Sequence, residues 1–398
     1  MKSSFENLLE LRESLLGYSS NFVARHASIS GERLAEIEAG EPAALDELDR
    51  LASLYGLDPE QLEDEPIVLA PGDSIGALPS LDEFRELGDI VRLRIIRAAS
   101  AARELIALER LAEPEGPSRA QRFLSDAPSL RIQSTAASHR QGASLAASLR
   151  RKLELGVDPI ASVRDFVSEY FPMIAVLHAD LTASGPAGLA FADNYRGPAI
   201  VLNTRGKNEN PTVRRFSLAH ELCHLLVDWN RQEPIARISG YLHDSRLDEE
   251  RRANAFAIRL LCPEAIVHKL EPDSPSEQVK IIASFGIPYS AIRIYLKNEA
   301  GTDIAPRPPI EVQRSTVDSK WSTAEGEPTL NDFPLQDVPP ERRTLVARTA
   351  ASLYSGGKLQ RDAFAESLGV TPAHEVERVL DFYEVPWPSD ERESSGAA

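Results

Sequence analysis

Apolar residues recur at helical spacing along the first part of the chain. Leucines open the pattern between residues 8 and 15, and further apolar groups follow at residues 22–24, 34–37 and 45–55. Glycines separate these groups, as they often do at helix ends. The pattern predicts a small helical domain over residues 1–66.

Residues 67–140 are predicted to hold a linker and a long helix. Prolines and glycines crowd the stretch between residues 66 and 79, which is typical of a connection. An apolar and Arg-rich pattern then predicts one helix from about Asp82 to Glu113. Residues 114–140 are rich in Ser, Ala, Pro and Gln and are expected to be loosely ordered.

A mixed pattern over residues 141–300 predicts an α+β domain. Helical stretches flank three short runs of β-forming residues that turn residues separate, which favours a small antiparallel sheet. The predicted strands are 173–177, 188–191 and 199–202, and the predicted helices are 143–155, 160–170, 212–228, 249–261 and 276–298. We therefore expect a multidomain, mostly α-helical protein with one α+β core.

The remainder of the chain predicts a linker and a last helical unit. Residues 301–340 contain seven prolines and are expected to be a linker. Residues 341–388 predict three helices, broken at Gly356 and Gly369 and with Thr371 as an N-cap, and they carry no recognisable chemistry. Residues 389–398 are polar and small and are expected to be a disordered tail.

Composition excludes several classes of protein. The chain has 398 residues, of which 42% are hydrophobic and 26% charged, as in ordinary globular proteins rather than disordered ones. No window approaches the roughly 18 apolar residues that a membrane span needs. Two cysteines, Cys223 and Cys262, cannot build a disulfide framework, and the first residues do not resemble a secretory signal. These features predict a cytoplasmic protein with no membrane partner; they do not indicate its oligomeric state.

The motif that carries chemistry is HExxH, within RRFSLAHELCHLLVD. His220 and His224 are four residues apart, so on a helix they lie on one face and can bind one metal ion. Glu221 lies on the neighbouring side, where a carboxylate can take a proton from a water molecule. Apolar, helix-permissive flanks argue against a chance match. Cys223 lies about 100° round the helix from His224, which favours packing over metal binding.

A catalytic zinc of this type needs a third protein ligand, and the segment LDEERRANAFAIRLLCP offers two glutamates. Asp248 is placed as an N-cap, and Glu249 and Glu250 fall on opposite edges of the apolar stripe behind it. Periodicity alone leaves the choice between these two carboxylates open.

The two segments together resemble the ImmA/IrrE family of metallopeptidases. The family pattern joins R-F-T-L-A-H-E-L-G-H to E-x-x-A-N-x-F-A-x-x-L-L-M-P, and the resemblance extends over about residues 141–300. It implies a zincin-like core with one Zn²⁺ ion, Glu250 as third ligand and Glu221 as general base. Departures are Cys223 for Gly, Cys262 for Met and Asp228 where a further His is frequent.

The resemblance and the motif together predict a zinc-dependent endopeptidase. We expect the substrate to lie extended beside the predicted strand Ala199–Asn203, as an added strand. Tyr241 and His243 lie between the two metal-binding helices and are weak candidates for stabilising an oxyanion. The resemblance implies a regulatory protein as substrate, such as a helix-turn-helix repressor. The alternative is a transcription regulator whose metal domain senses a ligand or holds structure without proteolysis.

Residues 9–56 resemble an Xre-type helix-turn-helix module. In such modules the N-terminal residues of the second helix contact DNA, and here they include Ser30, Glu32 and Arg33. Net charge opposes that role. The whole chain carries −17, and residues 1–66 hold only five Lys or Arg against fifteen Asp or Glu. Because duplex affinity depends on neutralising phosphates, the charge disfavours DNA and favours a protein partner for this module.

Overall fold

A computed structural model describes residues 4–63, 66–68, 78, 81–132, 135–240, 247–267, 279, 283–300, 303, 307 and 319–388. This part of the chain is mostly helical and contains a central four-stranded sheet. Within it, no helix combines the length and the apolar character that crossing a bilayer requires. The mostly helical architecture with one small sheet confirms the predicted fold class.

The N-terminal helices form as predicted. Serine side chains cap two of them, because Ser19 and Ser30 accept hydrogen bonds from the backbone of Phe22 and Arg33. Two short strands that the pattern did not predict pair antiparallel and tie the start of this region to its end. The elements are β1 (Ser4–Phe5), α1 (Leu8–Glu10, continued by a π turn at Leu11–Leu16), α2 (Ser20–His26), α3 (Gly31–Glu38), α4 (Leu45–Tyr55), α5 (Pro59–Glu63) and β2 (Ile67–Val68).

The predicted long helix is interrupted near its start. It is divided into α6 (Asp82–Arg85) and α7 (Asp89–Ala112), with Gly88 as the N-cap of α7. The region predicted to be loosely ordered contains a further helix, α8 (Arg119–Asp126). Ser118 and Gln121 form a capping box at its start, and Phe123 is fully buried against Trp229. The expectation for residues 114–140 was therefore wrong at α8.

The central sheet has the strand order β3-β5-β4-β6. Strands β4 and β5 form an antiparallel hairpin, and β6 adds antiparallel to β4. Strand β3 instead runs parallel to β5, so the sheet is mixed where an antiparallel one was predicted. The strands are β3 (Ala175–Ala179), β4 (Gly188–Asp193), β5 (Gly197–Asn203) and β6 (Ile235–Ser239).

Strand β5 is an interior strand. Its residues pair with β3 on one side and with β4 on the other, so its backbone has no free edge. The prediction that substrate adds beside Ala199–Asn203 is therefore wrong. Strand β6, which the sequence pattern did not reveal, is the edge strand next to β4. The prediction failed because three strand-like runs carry no information about their order in space.

Helices cover one face of the sheet. They are α9 (Ser138–Lys152), α10 (Val163–Tyr170), α11 (Pro211–Cys223, continued by a π turn at His224–Asp228), α12 (Asp248–Leu261), α13 (Glu264–Val267) and α14 (Tyr289–Ala300). Helices α9 and α12 pack closely at Gly142, where a Cβ atom would lie 2.1 Å from the carbonyl oxygen of Arg252. Part of the predicted helix 276–298 lies outside the described residues, and the described helix begins at Tyr289.

Alternate side chains of the strands enter two separate cores. On one face Ala190, Ala192, Ile200 and Leu202 pack with α11 and α12. On the other, Leu177, Leu189, Val201 and Ile238 share a core with α7, the N-terminal helices and the C-terminal helices. The sheet is thus a buried middle layer.

The C-terminal region confirms helices interrupted at Gly356 and Gly369. Its helices are α15 (Ser319–Ala324), α16 (Pro328–Asn331), α17 (Leu345–Ser355), α18 (Arg361–Leu368) and α19 (Arg378–Phe382). The last helix begins at Arg378 and not at the predicted N-cap Thr371. Residues 389–398, the predicted tail, lie outside the described residues, and the domain boundaries as a set remain predictions.

Part of the predicted linker is packed against α11. Arg215 is fully buried, and its guanidinium binds the carboxylate of Glu325 at 2.6 Å and stacks on Trp321 at 4.0 Å. The same carboxylate accepts the backbone N–H of Val163 at 2.7 Å. The prediction that residues 319–331 belong to a linker, which was based on proline content, was therefore wrong. Their burial depends on a partner more than a hundred residues away in the sequence.

We expect Glu325→Ala to destabilise the protein by about 3–5 kcal/mol, because it leaves the buried Arg215 guanidinium without its counter-charge. Asp165→Ala is the control, since the Asp165 side chain is 67% exposed and lies 3.0 Å from Arg164; its loss should cost at most about 1 kcal/mol. Urea unfolding followed by tryptophan fluorescence measures both changes. Equal losses in the two variants would contradict the central role of the Arg215–Glu325 pair.

Candidate metal centre

Helix α11 begins at a strong start signal. The side chain of Asn210 accepts the backbone N–H of Thr212, and Pro211 occupies the first turn. The helix then packs against the sheet and continues as a π turn over His224–Asp228. The backbone N–H of Trp229 donates a hydrogen bond to the carbonyl oxygen of His224. Such turns are frequent at functional sites.

The three predicted ligands lie together. The Nε2 atom of His220 lies 3.0 Å from one carboxylate oxygen of Glu250, and the Nε2 atom of His224 lies 3.1 Å from the other. The two Nε2 atoms are themselves 3.1 Å apart. All three residues are buried, and their ligand atoms lie within 4.8 Å of one another. Helical periodicity could not choose between Glu249 and Glu250 as the third ligand. In the structure, the carboxylate of Glu250 faces the two histidines.

A further layer of hydrogen bonds orients both imidazole rings. Nδ1 of His224 lies 2.6 Å from the carboxylate of Asp228, which in turn accepts from the guanidinium of Arg252. Nδ1 of His220 lies 3.2 Å from the side-chain oxygen of Asn254. With each Nδ1 donating, each neutral ring presents the lone pair of its Nε2 towards Glu250.

Electrostatics at this point favours a cation. Burial lowers the pKa of His224, but the carboxylates of Asp228 and Glu250 outweigh it and raise that pKa to about 10. Burial likewise opposes ionisation of Glu250, yet His220 and His224 hold the pKa of its carboxyl below the ordinary range. The negative potential thus favours a positive charge between these side chains, as a proton or as a metal ion. A divalent metal ion that displaces the proton of His224 would meet two imidazole nitrogens and one carboxylate, and N₂O sets of this kind are typical of zinc.

Glu221 lies beside the cluster and has a different environment. Its side chain is fully buried, and the hydroxyl of Ser239 is the hydrogen-bonding neighbour of its carboxylate among the described residues. Burial raises the pKa of this carboxyl to about 7, although the neighbouring histidines oppose the rise. A buried carboxyl that titrates near neutral pH can accept a proton and release it again.

A cavity of about 1150 Å³ opens at this cluster. His220, Glu221 and Glu250 line it, together with Ser239 at the end of the edge strand β6. Phe216 and Ile258 belong to an apolar part of its wall. The cavity therefore gives an elongated ligand access to both the cluster and the end of the sheet.

The remaining candidate residues lie away from this cluster or outside the described residues. Cys223 and Cys262 are fully buried among apolar side chains, and burial raises the pKa of both thiols, so the prediction that Cys223 serves packing agrees with its position. Tyr241 and His243 lie outside the described residues. Their suggested role in stabilising an oxyanion stays a prediction.

The candidate DNA-contacting residues are at the start of α3. Ser30 caps that helix, and Glu32 is exposed in its first turn. The guanidinium of Arg33 binds the carboxylate of Glu47 at 2.9 and 3.0 Å and the carbonyl of Pro42 at 2.7 Å. The single cation of this set is thus engaged within its own module.

Sequence reasoning missed the residues that support the ligands. Asp228 was noted as a departure from the family pattern, although its spacing of four from His224 is the signal for a carboxylate–histidine pair. Asn254 follows Glu250 by one helical turn, so it had a detectable spacing as well. Arg252 had no such signal, because its contact with Asp228 joins two helices.

Two buried histidines on one helix and a carboxylate from the next define a candidate metal site of the HExxH type. Residues 173–297 match the family Peptidase_M78, described as the IrrE N-terminal-like domain. These residues are thus similar to that domain, in line with the resemblance seen in the sequence, and this similarity suggests a metallopeptidase. The match covers less than a third of the chain and leaves the N-terminal helices and α15–α19 outside it. No curated protein matches the chain significantly.

We expect Asp228→Asn to weaken zinc binding by about 10- to 100-fold. The amide orients the His224 ring less firmly than the carboxylate does, and the substitution removes the negative charge next to Nδ1 of His224. Competition against a chromophoric chelator measures the affinity. Asp248→Asn is the control, since Asp248 is exposed at the start of α12. Unchanged zinc affinity in Asp228→Asn would show that Asp228 does not support the metal centre.

Proposed function

We propose that this protein is a zinc-dependent endopeptidase that hydrolyses a peptide bond in a regulatory protein. The observation that carries the proposal is the buried cluster of His220, His224 and Glu250, of which His220 and Glu250 share one cavity with the carboxylate of Glu221. A purely structural zinc site closes all four positions with protein ligands and needs no base beside it.

His220, His224 and Glu250 would hold the zinc ion in this proposal. When bound, zinc supplies Lewis acidity to a water molecule and to a carbonyl oxygen. Glu221 accepts the proton that the attacking water loses and delivers it to the leaving amine. Asp228 and Asn254 keep the imidazoles in one tautomer throughout.

Substrate binds as an extended segment next to β6 in this proposal. The edge of a sheet offers unpaired backbone groups to an added strand, and β6 ends at the cavity wall with Ser239. Phe216 and Ile258 offer an apolar surface to a side chain of that segment. This replaces β5, whose two edges are both occupied by neighbouring strands.

Resemblance to ImmA/IrrE proteins supports the substrate class, a helix-turn-helix repressor or a similar regulator. The N-terminal module would then bind protein and not DNA. Its charge supports this: Arg12, Arg33 and Arg50 each form an ion pair with a carboxylate of the same module. The Arg-rich face of α7 is engaged likewise, since Arg92 and Arg94 bind groups elsewhere in the chain.

We expect Glu221→Gln to retain about one zinc per chain and to lose cleavage by at least about 100-fold, because the amide cannot accept the proton. Zinc is measured by elemental analysis and cleavage by gel assay against repressors encoded near the gene. Glu249→Gln is the matched control, since Glu249 neighbours Glu250 but is absent from the cavity wall. Cleavage unaffected by Glu221→Gln would refute the assignment. Bound zinc without cleavage of any candidate would favour the non-proteolytic regulator.

The full chain is expected to produce no electrophoretic shift of random or genomic duplex DNA at micromolar concentration and low salt, because residues 1–66 carry a net negative charge and three of their five cations are paired internally. Glu47→Gln tests whether internal pairing is the cause, because it weakens the two hydrogen bonds between the Glu47 side chain and the Arg33 guanidinium. A shift by the unmodified protein that weakens steeply with salt would overturn this expectation.

A further inference from the structure

Gly188 opens the interior strand β4, directly after Ala187 of the cavity wall. Its neighbours are Leu202 on β5 and Ser239 on β6, so hydrogen-bonded strands hold its backbone on both sides. By the alternation along β4 it faces the same way as Ala190 and Ala192, towards α11. The residue that α11 places over it is Glu221.

The contact leaves no room for a side chain. A Cβ atom on Gly188 would lie 2.7 Å from a carboxylate oxygen of Glu221, 3.0 Å from its Cγ and 3.1 Å from its Cδ. The backbone of Gly188 does not have a positive φ, so its conformation does not require glycine. Glycine is required at this position because the carboxylate of Glu221 lies against the strand.

Glu221 has little else to hold it in place. The ligand histidines are each fixed by a hydrogen bond at Nδ1, whereas the Glu221 carboxylate has only the hydroxyl of Ser239 as a hydrogen-bonding neighbour among the described residues. Packing therefore places this carboxylate, and the bare backbone of β4 is the surface it packs on.

We infer that Gly188 is a positioning residue: its missing side chain sets where the Glu221 carboxylate lies relative to the ligand cluster. This rests on the proposed function, in which Glu221 is the general base. Because the atoms that a methyl group would meet are the end of a flexible side chain, a substitution displaces the carboxylate and leaves the strand and the three ligands in place.

The test uses the full chain with three glycine substitutions. Gly188→Ala is expected to keep its zinc affinity within about threefold and its melting temperature within a few degrees, and to lose about 10- to 100-fold in kcat with little change in KM. Gly31→Ala meets nothing within 4 Å and should behave as the unmodified protein. Gly142→Ala meets the backbone of α12 and should lose stability and zinc affinity together.

A double variant tests the contact itself. Glu221→Asp shortens the side chain by one methylene and removes the atoms nearest the added methyl. If the two residues act through this contact, Gly188→Ala combined with Glu221→Asp is no slower than Glu221→Asp alone, so the two losses do not multiply. Losses that multiply would show that Gly188 acts by another route and would overturn the inference.

A crystal structure of zinc-bound Gly188→Ala gives a readout that does not depend on cleavage. We expect the Glu221 carboxylate to move by about 1 Å or more while His220, His224 and Glu250 stay in place. An unmoved carboxylate, lost zinc or full activity would each overturn the inference. A displaced carboxylate in a chain whose unmodified form cleaves nothing would instead refute the proposed function and leave the positioning contact established.

Discussion

The packing of α12 against α11 is the constraint on which the candidate site depends. Helix α12 supplies one ligand, Glu250, and also the groups that reach the two histidines, directly from Asn254 and through Asp228 from Arg252. These three residues are spaced by two along the helix, so a small rotation of α12 would disturb all of them at once. Gly142 of α9 permits the close approach that holds α12 in this orientation.

Local patterns predicted what local geometry determines. The HExxH spacing predicted two imidazoles and a carboxylate on one helix, and the structure has them there. Glu250 could be chosen over Glu249 only through the family resemblance, because both flank the same apolar stripe. The strand order, the parallel pairing of β3 and the burial of Glu325 were not predictable, since each depends on residues far apart in sequence.

The contacts that charged residues make were equally hard to predict from the sequence. The net charge of the chain correctly directed attention to the acidic N-terminal module, but it did not reveal how the few arginines are used. Arg12 is buried against Glu38, and Arg33 is held by Glu47. A count of charged residues does not distinguish free arginines from paired ones, and in the folded protein these arginines form internal ion pairs. Each pair leaves the net charge of the module unchanged, but fewer arginines remain free to contact phosphates.

The shared core beneath the sheet has a consequence for synthesis. It combines side chains from the N-terminal helices with others from α17 to α19, more than two hundred residues later. The ribosome releases the metal-binding helices well before α17, so during that interval the strand face opposite them is covered only in part, by α7 and the N-terminal helices. Contacts of such long range slow folding and expose apolar surface to aggregation. Loss of α17 to α19 would therefore uncover part of this core, far from the metal-binding residues.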